Sequence, residues 1–163
     1  YAIDRLCSSG LQAVACIANQ IASNQIDIGI GGGVESMSMF AMTNMVDPGA
    51  VSDLVFEDEQ AQKCLMPMGI TSENVAEKYG ITRRQQDEMA VESHKKAAHC
   101  QKMGWSKAEI TPYKTKVLDK EGNEKEVLVD MDDGVRPTTT FEGLQKLKPA
   151  FKKGGTTTAG NSS

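Results

Sequence analysis

The chain begins with a segment whose hydrophobic and polar positions follow the pattern of an amphipathic helix. Apolar residues recur every three or four positions and so share one helical face: Leu11, Val14, Ala15, Ala18, Ile21 and Ala22. Ser8 or Ser9 suits the N-cap of this helix, and Asn24 suits its end. In residues 26–33, IDIGIGGG, isoleucines alternate with other residues until the glycines begin, which predicts a buried strand and then a tight loop. A helix followed by a strand predicts an α/β layer.

The pattern changes after this first layer. Residues 37–66 are rich in methionine and carry a Pro-Gly turn, so a loop is predicted there. A Ser/Thr capping signal predicts a helix over residues 71–79, and a second helix is predicted from a cap at Thr82 to a stop at Gly104. Two alternating runs around residues 121–123 predict a β-hairpin. The remainder is predicted as loop, short helix and loop.

Composition narrows the class of protein. The 163 residues, 39% hydrophobic and 25% charged, fit a globular domain or a piece of a larger one. The net charge of −4 and the lack of a long basic stripe argue against a nucleic-acid partner. No apolar run approaches the length that spans a bilayer, so membrane insertion is not predicted. The chain starts without methionine and stops within TTTAGNSS, and we therefore expect it to be a piece of a longer protein.

The cysteine and histidine positions do not predict a metal site. The cysteines form no C-x-x-C pair, which argues against a zinc ribbon or a dithiol and favours reduced thiols; they are Cys7, Cys16, Cys64 and Cys100. His94 and His99 are five residues apart, whereas two ligands on one helical face need a spacing of three or four. No bound metal is expected.

Cys7 is the candidate nucleophile, because it precedes the predicted helix within a run of small residues. The first turn of a helix lowers a thiol pKa through its free N–H groups and its dipole. Residues 8–10, Ser-Ser-Gly, are small enough for a substrate carbonyl to approach the sulfur and the backbone donors around it. The alternative is an ordinary small buried residue, which is the commoner role of cysteine. For Cys16, in the middle of the helix beside the apolar stripe, packing in or near the core is the prediction.

The glycine run at residues 29–33 raises the alternative of a phosphate-binding loop. The third glycine that such a loop requires falls on Val34, and no basic residue follows. Close backbone packing is therefore the favoured use of these glycines.

Four blocks of sequence, in this order, resemble the 3-ketoacyl-CoA thiolases, and especially their peroxisomal members in eukaryotes. The blocks are CSSGLQA at 7–13, GGGVESMS at 31–38, PMGITSENVAEKYGITRRQQDEMAVESHKKA at 67–97 and KLKPAFKKGGTTTAGNSS at 146–163. The resemblance covers essentially the whole chain. It implies an α/β thiolase fold in partial form, in which residues 1–36 belong to the first α/β half, residues 37–153 form a loop domain and residues 154–163 return into the core.

The resemblance also implies an acyltransferase activity, the thiolytic cleavage of a 3-ketoacyl-CoA in fatty acid β-oxidation. Cys7 is then the residue that attacks the 3-keto carbon and carries the acyl group as a thioester. Coenzyme A is a substrate, and no permanently bound cofactor is implied. The positions that match the coenzyme A contacts of the family are Met68, Arg136, Ala159 and Ser163. A homodimer in the peroxisome is implied, with the cytoplasm and the mitochondrion as alternative locations.

The chain departs from the family pattern at two places. Pro67 stands where many members have a histidine, and Asp4 stands where they have an asparagine; an acidic group that faces the thiol raises its pKa. The resemblance places the catalytic histidine and the second catalytic cysteine after Ser163, and neither His94 nor His99 matches them. We therefore expect no thiolase turnover from these 163 residues alone. The alternative function is a non-catalytic thiolase relative that binds acyl-CoA or lipid.

Overall fold

The structure is a computed structural model that describes residues 1–37, 39 and 48–162. The chain divides into two compact units, Tyr1–Glu59 and Gln60–Ser163. Helix α1 lies in the first unit, whereas the longest helix and a β-hairpin lie in the second. The predicted division of the chain at residues 36 and 153 stays a prediction.

The predicted first helix is confirmed. A single 3-10 turn, Leu6–Ser8, leads into helix α1, Ser9–Ala22. Ser8 occupies the N-cap position, but its hydroxyl makes no capping hydrogen bond. Asn24 adopts a left-handed conformation with φ 56°, and the N–H groups of Asn24 and the next residue return to carbonyls of the last helical turn. This is the Schellman arrangement, in which asparagine is one of the few residues that tolerate the left-handed position.

The predicted strand in residues 26–33 is wrong, since residues 26–36 form no regular secondary structure. The side chains of Ile28 and Ile30 are 87% and 93% exposed. A strand needs a neighbour to accept its backbone hydrogen bonds, and the first unit holds no strand in its described part. Alternating isoleucines give the pattern of a strand without supplying that neighbour.

The predicted use of the glycines for close packing is confirmed at two positions. A Cβ on Gly31 would lie 3.0 Å from both the N and the Cα of Val14 in α1, and a Cβ on Gly29 would lie 2.6 Å from a methyl group of Ile17. Nothing lies within 4 Å of such a Cβ on Gly32 or Gly33. The segment after α1 therefore turns back onto this helix at Gly29 and Gly31.

The segment predicted as a loop, residues 37–66, is only partly one. It contains two short helices, α2 (Asp53–Glu57) and α3 (Glu59–Lys63), and a 3-10 turn at Pro48–Ala50. Residue 38 and residues 40–47 lie outside the described residues. Helix α3 lies across the boundary between the two units.

The second unit contains the longer helices α4 and α5. Helix α4 spans Met68–Tyr79 and begins earlier than predicted, with Pro67 at its N-cap. Helix α5 spans Arg83–Met103 and begins and ends as predicted. At its start the Thr82 hydroxyl accepts from the backbone of Gln85, whose side chain accepts from the Thr82 backbone, a capping box.

The predicted hairpin and short helix are also present. Strands β1 (Tyr113–Leu118) and β2 (Glu124–Val129) are antiparallel, with Tyr113 opposite Val129 and Leu118 opposite Glu124. A 3-10 turn at Ser106–Ala108 joins α5 to the hairpin. Helix α6, Phe141–Gln145, packs against α5.

The interior of the second unit is small and unusually polar. Its buried apolar residues are Ala76, Ala90 and Leu144, one each from α4, α5 and α6. Its buried polar residues are Glu73, Asp87, Thr157 and Thr158. The segment that follows Gly155 therefore lies against the three helices, and polar groups rather than large apolar side chains hold it there.

Candidate functional site

Cys7 is exposed and lies in the 3-10 turn immediately before α1. Its thiol makes no hydrogen bond in the part of the chain that the structure describes. A Cβ added to Gly10, in the first turn of α1, would meet nothing within 4 Å. The sulfur is therefore exposed at a helix start, and Gly10 adds no side chain to the first turn of that helix.

Polar groups of the turn itself hold the residues around Cys7. The Leu6 N–H donates to the Asp4 carboxylate at 2.8 Å, and the Arg5 N–H donates to the Ser9 hydroxyl at 2.7 Å. That hydroxyl donates to the Leu6 carbonyl, also at 2.7 Å. Leu6 has φ 51°, in the left-handed region that side chains rarely adopt. Asp4 and Ser9 thus hold the tight turn, and Asp4 uses its carboxylate on the backbone.

Cys16 has the predicted place near the core, but it also has polar contacts that the sequence does not predict. The side chain is only half-buried, and the Gln12 amide donates to its sulfur at 3.3 Å. The other end of that amide accepts from the Arg5 guanidinium, which fixes its orientation. Hydrogen bonds from Gln12 and then from the Tyr1 hydroxyl lower the pKa of Cys16. Helical spacing alone identified the half-buried position but not the amide one turn earlier.

A second cluster holds the segment that contains Ala159. The Glu73 carboxylate, on α4, accepts from the N–H of Thr157 at 2.8 Å and from the N–H of Thr156 at 2.9 Å. The Thr156 hydroxyl adds a third hydrogen bond at 3.1 Å. A Cβ on Gly155 would overlap the carboxylate, so only glycine permits this approach.

The pKa of Glu73 reflects two opposing effects. Burial alone raises the pKa of this carboxyl, but the N–H groups of Thr157 and Thr156, together with their hydroxyls, outweigh burial and hold it below its usual value. The carboxylate therefore stays ionised and stabilises the segment as an acceptor of hydrogen bonds.

Asp87, on α5, holds the other end of the same segment. Its side chain is fully buried, accepts from the Arg83 guanidinium at 2.8 Å and accepts from the Asn161 amide at 2.9 Å. Asn161 in turn accepts from the Thr158 N–H at 2.8 Å. Arg83 also donates to the backbone carbonyls of Leu144 and Leu147. The turn at residues 158–161 is therefore fixed at both ends, with Ala159 exposed on it.

The predicted coenzyme A contacts stand as follows. Met68 is the first residue of α4 and is exposed, and Arg136 and Ala159 are exposed as well. Ser163 lies outside the described residues. These positions belong to the second unit, whereas Cys7 belongs to the first. The sequence does not identify Glu73, Asp87 or Asn161 as residues that hold this segment. For Asp87 a signal is present in the sequence, because Arg83 and Ala90 lie four and three residues away and share its helical face.

Both histidines have structural contacts. His94 accepts from the Arg136 N–H through Nδ1 at 3.2 Å, and the ring of His99 lies edge-to-face with Trp105 at a centroid distance of 5.3 Å. Among residues 1–37, 39 and 48–162, no three histidine, cysteine or acidic side chains form a group that suits a metal ion. No helix in the described part of the chain combines the length and apolar character needed to cross a bilayer.

The comparisons with known proteins identify the family of the chain. Residues 1–163 match the family description "Thiolase, N-terminal domain", and the chain belongs to the thiolase family. It is 56% identical over 162 residues to peroxisomal 3-ketoacyl-CoA thiolase A of Rattus norvegicus, and 54% identical over 161 residues to peroxisomal 3-ketoacyl-CoA thiolase of Homo sapiens. Each alignment covers 99% of this chain but only 37% of the relative.

Solved structures give the same fold. The dimeric peroxisomal thiolase of Saccharomyces cerevisiae superposes with a TM-score of 0.82 at 44% identity, over 99% of this chain and 39% of the yeast chain. The acetyl-CoA acetyltransferase of Bacillus anthracis has a TM-score of 0.77 at 36% identity, over the whole of this chain and 42% of the bacterial one. The predicted fold class, an α/β thiolase fold in partial form, is confirmed.

Proposed function

We propose that this chain supplies the nucleophile and part of the coenzyme A site for the thiolytic cleavage of 3-ketoacyl-CoA in fatty acid β-oxidation. The observation that carries the proposal is an exposed cysteine at a helix start, in a chain 56% identical to a peroxisomal 3-ketoacyl-CoA thiolase. The product of such a reaction is acetyl-CoA together with a shortened acyl-CoA.

Cys7 performs covalent catalysis in this proposal. Its thiolate attacks the 3-keto carbon, the bond between C2 and C3 breaks, and the acetyl-CoA carbanion takes a proton and leaves. The thiol of a second coenzyme A gives up its proton and attacks the Cys7 thioester, which releases the acyl-CoA and regenerates the Cys7 thiolate. Two easier steps replace one difficult step. The N–H groups at the start of α1 suit a developing negative charge near the sulfur. Because His94 and His99 have contacts of their own, neither is proposed as the base.

The coenzyme A contacts belong to the second unit. Met68 and Ala159 suit the apolar parts of the pantetheine arm, and Arg136 suits a phosphate or the face of the adenine ring. Ser163 completes the proposed set. The hydrogen bonds of Glu73 and Asp87 support this assignment, since they hold the turn that carries Ala159 in one position.

The remaining features follow the named relatives. We propose a homodimer in the peroxisome that takes coenzyme A only as a substrate and has no resident cofactor. The yeast structure is described as a dimeric peroxisomal thiolase, and the rat and human relatives are named as peroxisomal. Residues 1–36, 37–153 and 154–163 are proposed as core, loop domain and return into the core.

A chimera tests the proposed chemistry. Residues 1–163 replace the matching part of the rat thiolase, and the cleavage of a 3-ketoacyl-CoA is measured with and without Cys7→Ala. We expect an active chimera whose kcat falls by about 10³-fold or more when the nucleophile is lost. Cys16→Ala is the matched control and leaves kcat close to that of the parent.

Two other results would count against the proposal. An active chimera that tolerates Cys7→Ala would show that another group is the nucleophile. An inactive chimera that still binds acyl-CoA would favour the alternative function, a thiolase relative that binds this ligand without turnover. Mass spectrometry of the acylated intermediate locates the thioester directly, and we expect it on Cys7.

A further inference from the structure

The backbone of Arg136 is held on both sides, while its side chain is exposed. Its N–H donates to Nδ1 of His94, and its carbonyl accepts from the Thr139 N–H at 3.1 Å. The next residue is Pro137, and a proline there restricts Arg136 to an extended conformation. The guanidinium makes no hydrogen bond or ion pair with any residue that the structure describes. The backbone of Arg136 is therefore fixed, while its guanidinium is exposed and available to bind a ligand.

A second hydrogen bond ties the same segment to the same helix. The Gln101 amide donates to the Asp132 carbonyl at 2.8 Å. His94 and Gln101 are seven residues apart on α5, so they share a face and lie about 10.5 Å apart along the axis. The four steps along the chain from Asp132 to Arg136 reach at most about 13 Å, which is enough to cover that interval. The segment therefore runs along α5 in the opposite direction, with one tether near each end.

The local charges make the position of this arginine important. Asp132 and Asp133 precede it in the same segment, and carboxylates repel a phosphate as a guanidinium attracts it. The balance depends on which of these groups lies nearest to the anion, because the interaction falls with distance. If residues 132–136 shifted along α5, a carboxylate could take the place of the Arg136 guanidinium next to the phosphate, and attraction would become repulsion.

We propose that His94, assisted by Gln101, is a positioning residue that presents Arg136 to the phosphate groups of coenzyme A. This inference rests on the proposed function, in which Arg136 contacts coenzyme A. Nδ1 of His94 is the acceptor of the hydrogen bond from the Arg136 N–H, so the N–H group of the ring is at Nε2. His94 does not itself contact the ligand.

The test compares two variants of nearly identical shape, each made in the chimera of residues 1–163 with the rat thiolase. His94→Asn places an acceptor oxygen where Nδ1 was, and His94→Leu places a methyl group there. Calorimetry measures the affinity for coenzyme A and for pantetheine, which has the thiol arm but no phosphate. We expect His94→Leu to weaken coenzyme A binding about fivefold, the usual contribution of one neutral hydrogen bond. We expect His94→Asn to stay close to the parent, and pantetheine binding to change in neither variant.

A double variant shows whether His94 acts through the arginine. Arg136→Gln alone is expected to weaken coenzyme A binding about tenfold or more, as the loss of a charged hydrogen bond does, and adding His94→Leu is expected to cause no further loss. In the ligand-free chain, amide exchange at Arg136 is expected to be faster in His94→Leu than in His94→Asn.

The possible failures differ. If Arg136→Gln leaves coenzyme A binding unchanged, or if the chimera does not bind coenzyme A, the proposed contact is wrong and the inference is wrong with it. If Arg136→Gln weakens binding but His94→Leu matches His94→Asn, only the inference is overturned. Equal losses for coenzyme A and pantetheine would show a general loss of structure and would overturn it as well.

Discussion

The two units differ most in what they bury. In the described part of the first unit, no residue is fully buried, and Leu11 and Val14 on the apolar face of α1 are largely exposed. All seven buried residues of the described chain lie in the second unit, and four of them are polar. The second unit therefore has an interior of its own, whereas the first depends on local structure.

This difference separates two ways of holding a functional residue. Cys7 is held by short-range contacts, within a turn that Asp4 and Ser9 complete. Ala159 is held by contacts between residues far apart in sequence, from Glu73 and Asp87. We expect substitutions in the second unit to change the free energy of unfolding, and substitutions in the first to change only local order.

The largest effect is expected from Asp87→Asn. The variant removes the buried charge that pairs with Arg83 and replaces one carboxylate oxygen by an NH2 group, which then faces an N–H donor of Arg83 or of Asn161. We expect the free energy of unfolding to fall by about 3 kcal/mol. Urea denaturation measures it. The control is Glu88→Gln, which breaks the exposed pair with Arg84 at the same helical spacing and is expected to change it by less than about 0.5 kcal/mol. Equal losses of stability in Asp87→Asn and Glu88→Gln would show that the burial of Asp87 does not determine its contribution.

A somewhat smaller effect, with a pH signature, is expected from Glu73→Gln. The pKa of Glu73 is lowered on folding, so its stabilisation is present above the unfolded value of about 4.3 and is lost as pH falls through the lower folded value. Glu73→Gln should lower the stability at pH 7 by about 2 kcal/mol and reduce the acid sensitivity below pH 4.5. Thermal unfolding at several pH values measures both effects. An unchanged pH profile would contradict the prediction.

Gly31→Ala tests the first unit. The added methyl group meets the backbone of α1 at Val14, and we expect the free energy of local opening of α1 to fall by about 1–2 kcal/mol, the usual effect of overpacking. Amide exchange should become faster in α1 and stay unchanged in α5. Gly32→Ala, where the methyl group meets open space, is the control. Faster exchange in α5 would show that the two units are not independent in this respect.

The smallest effect concerns the reactivity of thiols in the first unit. The Gln12 amide lowers the pKa of Cys16, so Gln12→Leu should raise the pH at which iodoacetamide modifies this residue. Gln20→Leu, equally distant from Cys16 on its other side, is the control. Cys7 is expected to react faster than Cys16 at neutral pH, since it is the more exposed thiol. Equal rates, read by mass spectrometry, would contradict that.

Local signals account for what the sequence predicted well. Three of these signals act within a few residues of the chain: the capping box at Thr82, the glycine after Met103 and the turn before β2. The helix and the strands that they delimit are as predicted. The sequence predicts too late a start for α4, because Ser72 belongs to a run that resembles a capping signal. In the structure its hydroxyl pairs with that of Thr157 at 2.9 Å. The composition of a cap does not reveal a contact with a distant segment.

The candidate site shows the same limit. The place of Cys7 before a helix followed from periodicity, but the left-handed Leu6 and the role of Asp4 depend on atomic contacts. Glu73 and Asp87 have the sequence appearance of surface charges, since acidic residues are seldom buried without partners. Their partners come from residues 156–161, and only the tertiary fold brings them together.

The spacing of residues along helix α5 also fixes the distance between the two hydrogen bonds from His94 and Gln101. One added residue between His94 and Gln101 would rotate everything beyond it by about 100° and advance it by about 1.5 Å, so one tether would face away from the segment that it holds. Insertions and deletions during evolution should therefore be tolerated in the hairpin turn around Gly122 and rejected within this stretch of helix. Among thiolases that keep both tethers, the interval between them should stay constant while the loops beside it vary in length.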